Sequence, residues 1–214
     1  MLEIAEIVAI DRLAETMYPK IFQLHSKPYG QSYVKWTEKW WQWAFSLPKN
    51  ESPINDSTGE NCGSGQDGPV WYLAGTFGEN KIPHRVCQIP YGVAILFPII
   101  NYEMNPLEKP ELIKQDDLIT HVIQDIDDII IRYAIVDGFR LPVCRVRSDP
   151  LIFSLTINKE SDNRTFFRET TYAVADGYWV FLKPLPKGDH HIYFHGSCAG
   201  GLRNAAAEYN IVII

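Results

Sequence analysis

From Arg132 to the C-terminus the chain is a succession of short apolar runs separated by turn residues, and this pattern restricts the fold more than any other feature. "RYAIVDGFRLP", "CRVRSDPLIFSLTI", "TYAVADGYWVFLKPLP", "HHIYFHGSC" and "AEYNIVII" each carry the β-branched and aromatic content of a strand. Regularly spaced strands of this kind predict an antiparallel β-sandwich, immunoglobulin-like or jelly-roll-like. The paired "AIVDGF" and "AVADGY" stretches read as two Asp-Gly turns, Asp137–Gly138 and Asp176–Gly177, because glycine supplies the positive φ such turns need. Alternation through "HHIYFHG" puts Ile192 and Phe194 on one face and His191, Tyr193 and His195 on the other.

The N-terminal half has a different rhythm. Tyr33, Trp36, Trp40 and Trp43 recur at spacings of three, four and three, which sets them on one helical face. Ser32 can cap this helix and Pro48 stops it. Such a stripe can stack on a ligand, but at helical spacing it packs inward far more often. Trp41 lies off the stripe and is the candidate exposed aromatic. "PVWYLAG" and "VAILFPII" read as buried strands, and a second helix is expected from Glu111 to about Ile131. Residues 2–25 read as one helix or two short ones. The expected class is therefore α+β: a helical extension over residues 1–30 and one domain over 31–214, its C-terminal half a mainly antiparallel sandwich.

Composition narrows the function classes. The net charge is −6 with no basic run, which argues against a nucleic-acid partner. No apolar run approaches the roughly 20 residues of a membrane span. Glu3, Glu6 and Asp11 interrupt the first residues and no basic segment precedes them, so the cytoplasm is the default location. The four cysteines form no C-x-x-C pair, and a zinc spacing is missing. If the chain is exported, Cys62–Cys87 is the preferred bridge, since each lies in a loop-like stretch beside a strand candidate.

Candidate chemistry is sparse. Glu103 follows the apolar strand "VAILFPIIN", a position where a strand end can deliver an acid into a cleft with Asn101; a hydrolase would add a second acid or a histidine such as His195. Asp56, Thr58 and Glu60 alternate as calcium ligands can, although local Asx hydrogen bonds explain the same residues and the ligand count is short. His191 and His195 share a strand face about 13 Å apart, too far to grip one metal unaided. "GSGQDG" lacks the Lys-Ser/Thr of a phosphate loop, and there is no G-x-S-x-G elbow. No cofactor is implied. The expectation is a non-catalytic binding or structural module for a carbohydrate or protein ligand, with Trp41, Asp56 and Gln66 as candidate contacts.

The ordered series Trp40–Trp43, "NCGSGQDGPVWYLAG", "RVCQIPYGVAILFPIINYE" and "ADGYWVFLKPLPKGDHHIYFHG" resembles a family of bacterial and archaeal proteins of unknown function, over roughly residues 33–214. The resemblance implies the C-terminal sandwich and strengthens the Cys62–Cys87 pairing. It implies export for many members, whereas residues 1–30 here carry no signal. It supplies no catalytic residues.

Overall fold

The computed structural model describes residues 18–76, 81–112, 114–148, 153–160 and 166–214. The expected helix over residues 2–25 falls largely outside them. Its described part, from Tyr18, is not helical: Phe22 N–H donates to Phe181 and Lys183 N–H to Lys20, so this segment runs as an extended strap. Pro19 disfavours a helix at the residue before it, and the backbone bonds go to a neighbouring strand instead.

Helix α1, Tyr33–Ser46, begins where expected, with the Ser32 hydroxyl accepting from Lys35 N–H. Ten strands follow. β1 (Val70–Tyr72), β3 (Ala94–Met104), β8 (Phe166–Leu182) and β6 (Cys144–Arg147) lie side by side, and β7 (Phe153–Glu160) also pairs with β8. The second sheet runs β2 (His84–Ile89), β10 (Asn204–Ile213), β9 (Gly188–Cys198), β4 (Ile129–Val136) and β5 (Phe139–Leu141). The class is α+β. Most ladders are antiparallel, but β1–β3 and β2–β10 are parallel, which makes both sheets mixed.

Alternation along β3 sorts the layers. Ile95, Phe97 and Ile99 point between the sheets, where they meet Ile192, Phe194 and Tyr209. Ala94 and Leu96 point the other way, into a cluster with Tyr33, Trp40 and Trp43 of α1. The tryptophan stripe is thus core. Trp41 is core too, at 3% exposure, contrary to its expected place at the surface. β7 wraps the helix and brings Phe153, Leu155 and Ile157 into the same cluster. A helix covered on two sides has no free face for Trp41, whose ring stacks on Phe45.

Helix α2 is shorter than expected, Gln115–Asp127, and Ile129 already starts β4. The apolar run Ile129-Ile130-Ile131 suits either element, and pairing with β9 decides it. The two Asp-Gly pairs also diverge. Asp137 and Gly138 form the expected turn, with φ of 51° and 83°. Asp176 and Gly177 instead lie inside β8. Asp176 is buried and held by Arg145, and a side chain at Gly177 would collide with Asn101 of β3, so long-range contacts straighten the segment.

Candidate functional site

β1 pairs with β3 only as far as Leu96, after which the chain leaves toward the second sheet. The next stretch of β3, from Pro98, keeps β8 on one side and has no strand on the other among the described residues. Proline suits this position, because an edge has no use for its missing N–H. The pairing with β8 slips between Pro98 and Ile100, a bulge that re-aims the following side chains. Two glycines let neighbouring strands close on the bulge. A Cβ at Gly177 would lie 2.6 Å from Asn101 Cβ, and one at Gly196 would lie 2.6 Å from Ile100 Cβ.

A cavity of about 280 Å³ opens along this edge. Three consecutive β3 residues, Ile100, Asn101 and Tyr102, line it. Successive strand residues face opposite ways, so the cavity lies against the strand's edge and not under one face. Ile126 and Ile129, Trp40 and Ile54 supply apolar wall, and the far side is Leu202 to Ala205 with Gly75 and Thr76. Leu202 stands at 91% exposure beside Gly200 and Gly201, both at positive φ.

The polar part of the wall comes from Thr76, Asn101, Tyr102, Asp125, Arg203 and Asn204. The Asn101 amide nitrogen and the Arg203 Nε are buried and have no hydrogen-bond partner among the described residues. An unmade bond at a buried donor costs about 1–3 kcal/mol. The rest of the Arg203 guanidinium binds Asp125 and Asp128, the latter at 2.9 Å. Thr76 Oγ1 accepts from Ala206 N–H. Burial, reinforced by Asp125 and Glu108, raises the Tyr102 phenol above its ordinary value, so it stays protonated. Behind the wall sits Arg85, 1% exposed, donating to the carbonyls of Ile54, Asp56, Ala74 and Gly75 and to the Tyr209 hydroxyl. It fixes the two loops that carry Ile54 and Gly75.

Of the polar candidates read from the sequence, only Asn101 lines this cavity; of the tryptophan stripe, Trp40 does. Glu103 is buried outside its lining and accepts from Asn105 Nδ2 at 3.0 Å. Burial pushes its carboxyl up to about 8, against the pull of the Asn105 bond. His195 lies on the outer face of the second sheet beside Tyr133, so Glu103, Asn101 and His195 do not converge. Asp56 is a local brace. Its oxygens accept from the Thr58 N–H and hydroxyl and from Asn61 N–H; burial works to raise its carboxyl, but these bonds prevail and lower it. Thr58 and Glu60 belong to the same exposed turn, and no described group of three or more His, Cys, Asp or Glu residues is placed to hold a metal ion.

Gln66 is spent on structure as well, its amide bonding both Tyr72 backbone groups and the Cys62 carbonyl. Cys62 and Cys87 are joined, at a Cα separation of 5.9 Å, and tie this loop to β2. Trp41, at 3% exposure, cannot stack on a ligand. No helix of the described residues is long and apolar enough to cross a membrane. Sequence reasoning passed over Arg203, Leu202 and Thr76; the one local signal was "GGLR", an apolar residue and a cation after two glycines. No protein-family model, curated protein or solved structure matches the chain.

Proposed function

We propose that the protein is a non-catalytic binding module whose ligand, a small and largely apolar molecule, enters the cleft along the outer edge of β3. One observation carries this reading: a largely apolar cavity of about 280 Å³ lies along the stretch of β3 that has no strand beside it among the described residues. The volume is at the small end of the roughly 300–1,000 Å³ of ligand pockets, and an apolar lining with a few polar groups is their usual character. A sugar would need hydrogen-bonding groups along most of its surface, and this lining does not offer them. Hydrolysis gains no support, because the cleft gathers no acid–base pair.

A fragment screen read by the methyl resonances of Ile100, Ile126 and Ile129, alongside melting temperature, tests the reading. Apolar fragments are expected to shift those methyls and raise the melting temperature of the wild-type protein. Ala205→Phe, which fills the cavity, should abolish both effects while its own melting transition shows that it folds. Fragments that bind without moving these methyls, or that bind the filled variant equally well, would refute it.

A further inference from the structure

We infer that a second site, separate from the β3 cleft, takes a neutral saccharide: the groove between the start of α1 and the loop that leads into β1. Its volume is about 420 Å³, within the usual range of ligand sites, and Tyr29, Lys39, Gln42, Asp67 and Tyr72 are among its lining.

Tyr29 presents its ring to this groove from a strained backbone. Its φ of 53° and ψ of 34° are left-handed, which a side chain with a Cβ disfavours. Asp137 is the one other non-glycine residue at positive φ among the described residues, and its Asp-Gly turn accounts for it. A tyrosine has no such turn chemistry. The ring does not go to the core either, since the residue is 45% exposed. Edge-to-face contacts with Phe22 and Trp36, at centroid distances of 6.0 and 6.2 Å, set its orientation. Trp36 is itself anchored, its indole N–H donating to the Pro28 carbonyl. A rigid aromatic surface held open at a backbone cost is a mark of a binding site rather than of packing.

The polar groups around the ring are reachable and unspent. Gln42 gives its Nε2 to the Ser154 carbonyl at 2.8 Å, which leaves Oε1 as an acceptor. Lys39 Nζ stands 4.7 Å over the Trp36 ring, and neither it nor Asp67 has an ion-pair partner among the described residues. Tyr72 is 7% exposed, yet no described group bonds its hydroxyl, where a buried phenol ordinarily finds a partner. Unlike the ring nitrogens of Trp41 and Trp71, that hydroxyl is not sealed from solvent. Burial, and then the Asp67 charge, raises the phenol, so it stays a donor.

One cation and one carboxylate on the same groove select against charge. A phosphate or carboxylate would gain Lys39 and meet Asp67, and an ammonium the reverse. A hydrocarbon would strip water from both without replacing its bonds. A hydroxyl both donates and accepts. Several on one ring can donate to Asp67 and to Gln42 Oε1 and accept from Lys39 and Tyr72, while the C–H face of the same ring lies on Tyr29.

Titration with maltotriose, cellotriose, mannotriose and tri-N-acetylchitotriose, against trigalacturonate, the glucosamine trimer and hexaproline, tests this while the Tyr29 ring and Gln42 side-chain amide resonances are followed. At least one neutral trisaccharide is expected to shift both, to leave the Ile100 and Ile129 methyls of the β3 cleft unmoved, and to bind at least about tenfold more tightly than either charged trimer. Tyr29→Asn keeps a residue that tolerates left-handed backbone and removes the ring, so its melting transition should survive while that affinity falls at least about tenfold. Asp67→Asn, at an exposed position, should admit trigalacturonate and change the neutral affinity by less than about threefold, which keeps the test open if the Tyr29 variant does not fold. Silence of all four neutral trisaccharides at about 10 mM, equal binding by folded Tyr29→Asn protein, a wild-type preference for a charged trimer, or shifts from hexaproline alone would overturn the inference. None of these outcomes touches the β3 cleft, whose methyls report on it separately.

Discussion

Replacing Glu103 by glutamine should make the protein more stable above neutral pH, and the reason is its burial. The side chain is 7% exposed, accepts one bond from Asn105, and has its carboxyl raised from 4.5 to about 8. The unfolded chain ionises this group near its ordinary value, while the folded chain keeps it protonated until about pH 8. Between those values the folded state holds one more proton than the unfolded state, so stability falls as pH rises. Below pH 4.5 both states are protonated and the group contributes nothing; the loss is complete once pH passes the folded value. At 1.36 kcal/mol per unit, a separation of roughly 3.5 units corresponds to about 5 kcal/mol, an upper figure because buried sites relax and admit water. Glutamine keeps an oxygen for Asn105 and cannot ionise. Urea unfolding of wild-type and Glu103→Gln protein at half-unit steps from pH 4.5 to 8.5 isolates the effect, since other titrating groups cancel in the difference. The expected difference favours the variant and grows by about 1 kcal/mol or more per pH unit up to pH 8. A difference that is flat with pH would refute the argument, and one favouring the wild type would show that the carboxylate is stabilised by something other than Asn105.

Arg85→Met removes the Arg85 donors that hold the carbonyls of Ile54, Asp56 and Gly75, leaves Ala74 with the Tyr209 hydroxyl, and should cost about 3 kcal/mol or more in urea unfolding. Arg85→Lys, with three donors and no fork, should recover only part of it; full recovery would mean that charge alone, and not the geometry of the bonds, is needed. Removing the Cys62–Cys87 bridge by double alanine substitution releases a loop closed over a separation of 25 residues, which corresponds to about 3.5 kcal/mol in the chain-entropy account. A loss below about 1 kcal/mol would show that Arg85 and Asp56 already order that loop without the bridge.

Local sequence was sufficient where one element decides its own environment. The tryptophan stripe of α1, its Ser32 cap and the alternation of β9 are properties of spacing, and the structure has all three. It was insufficient where a distant segment decides. Asp137–Gly138 and Asp176–Gly177 are the same dipeptide in similar surroundings, yet one turns and the other runs straight. The difference lies in Arg145, which pairs with Asp176, and in Asn101, whose Cβ needs the space that Gly177 leaves empty. Trp41 is a second case. Its position off the stripe predicts exposure, yet it lies in the cluster that β7 completes around α1. The strap at Lys20–Phe22 is a third, since its backbone bonds go to residues more than 150 positions away.

The same distinction explains why the cleft was only half visible. Asn101 is the first polar residue after the apolar run of β3, so a change of surroundings there could be read from the sequence, although the strand itself continues to Met104. Arg203 could not be found this way, because nothing near it in sequence says that α2 will set Asp125 and Asp128 against its terminal nitrogens and leave Nε bare. The cavity exists because β1 stops at Tyr72, β3 continues past it, and the first residues of β10 close the gap. A difference in strand length is a property of the assembled sheets and not of either strand. The residues that complete such a gap come from wherever the chain happens to pass. For that reason the cavity beside β3 is a stronger guide to function here than the tryptophan stripe of α1, which the fold consumes in its own core.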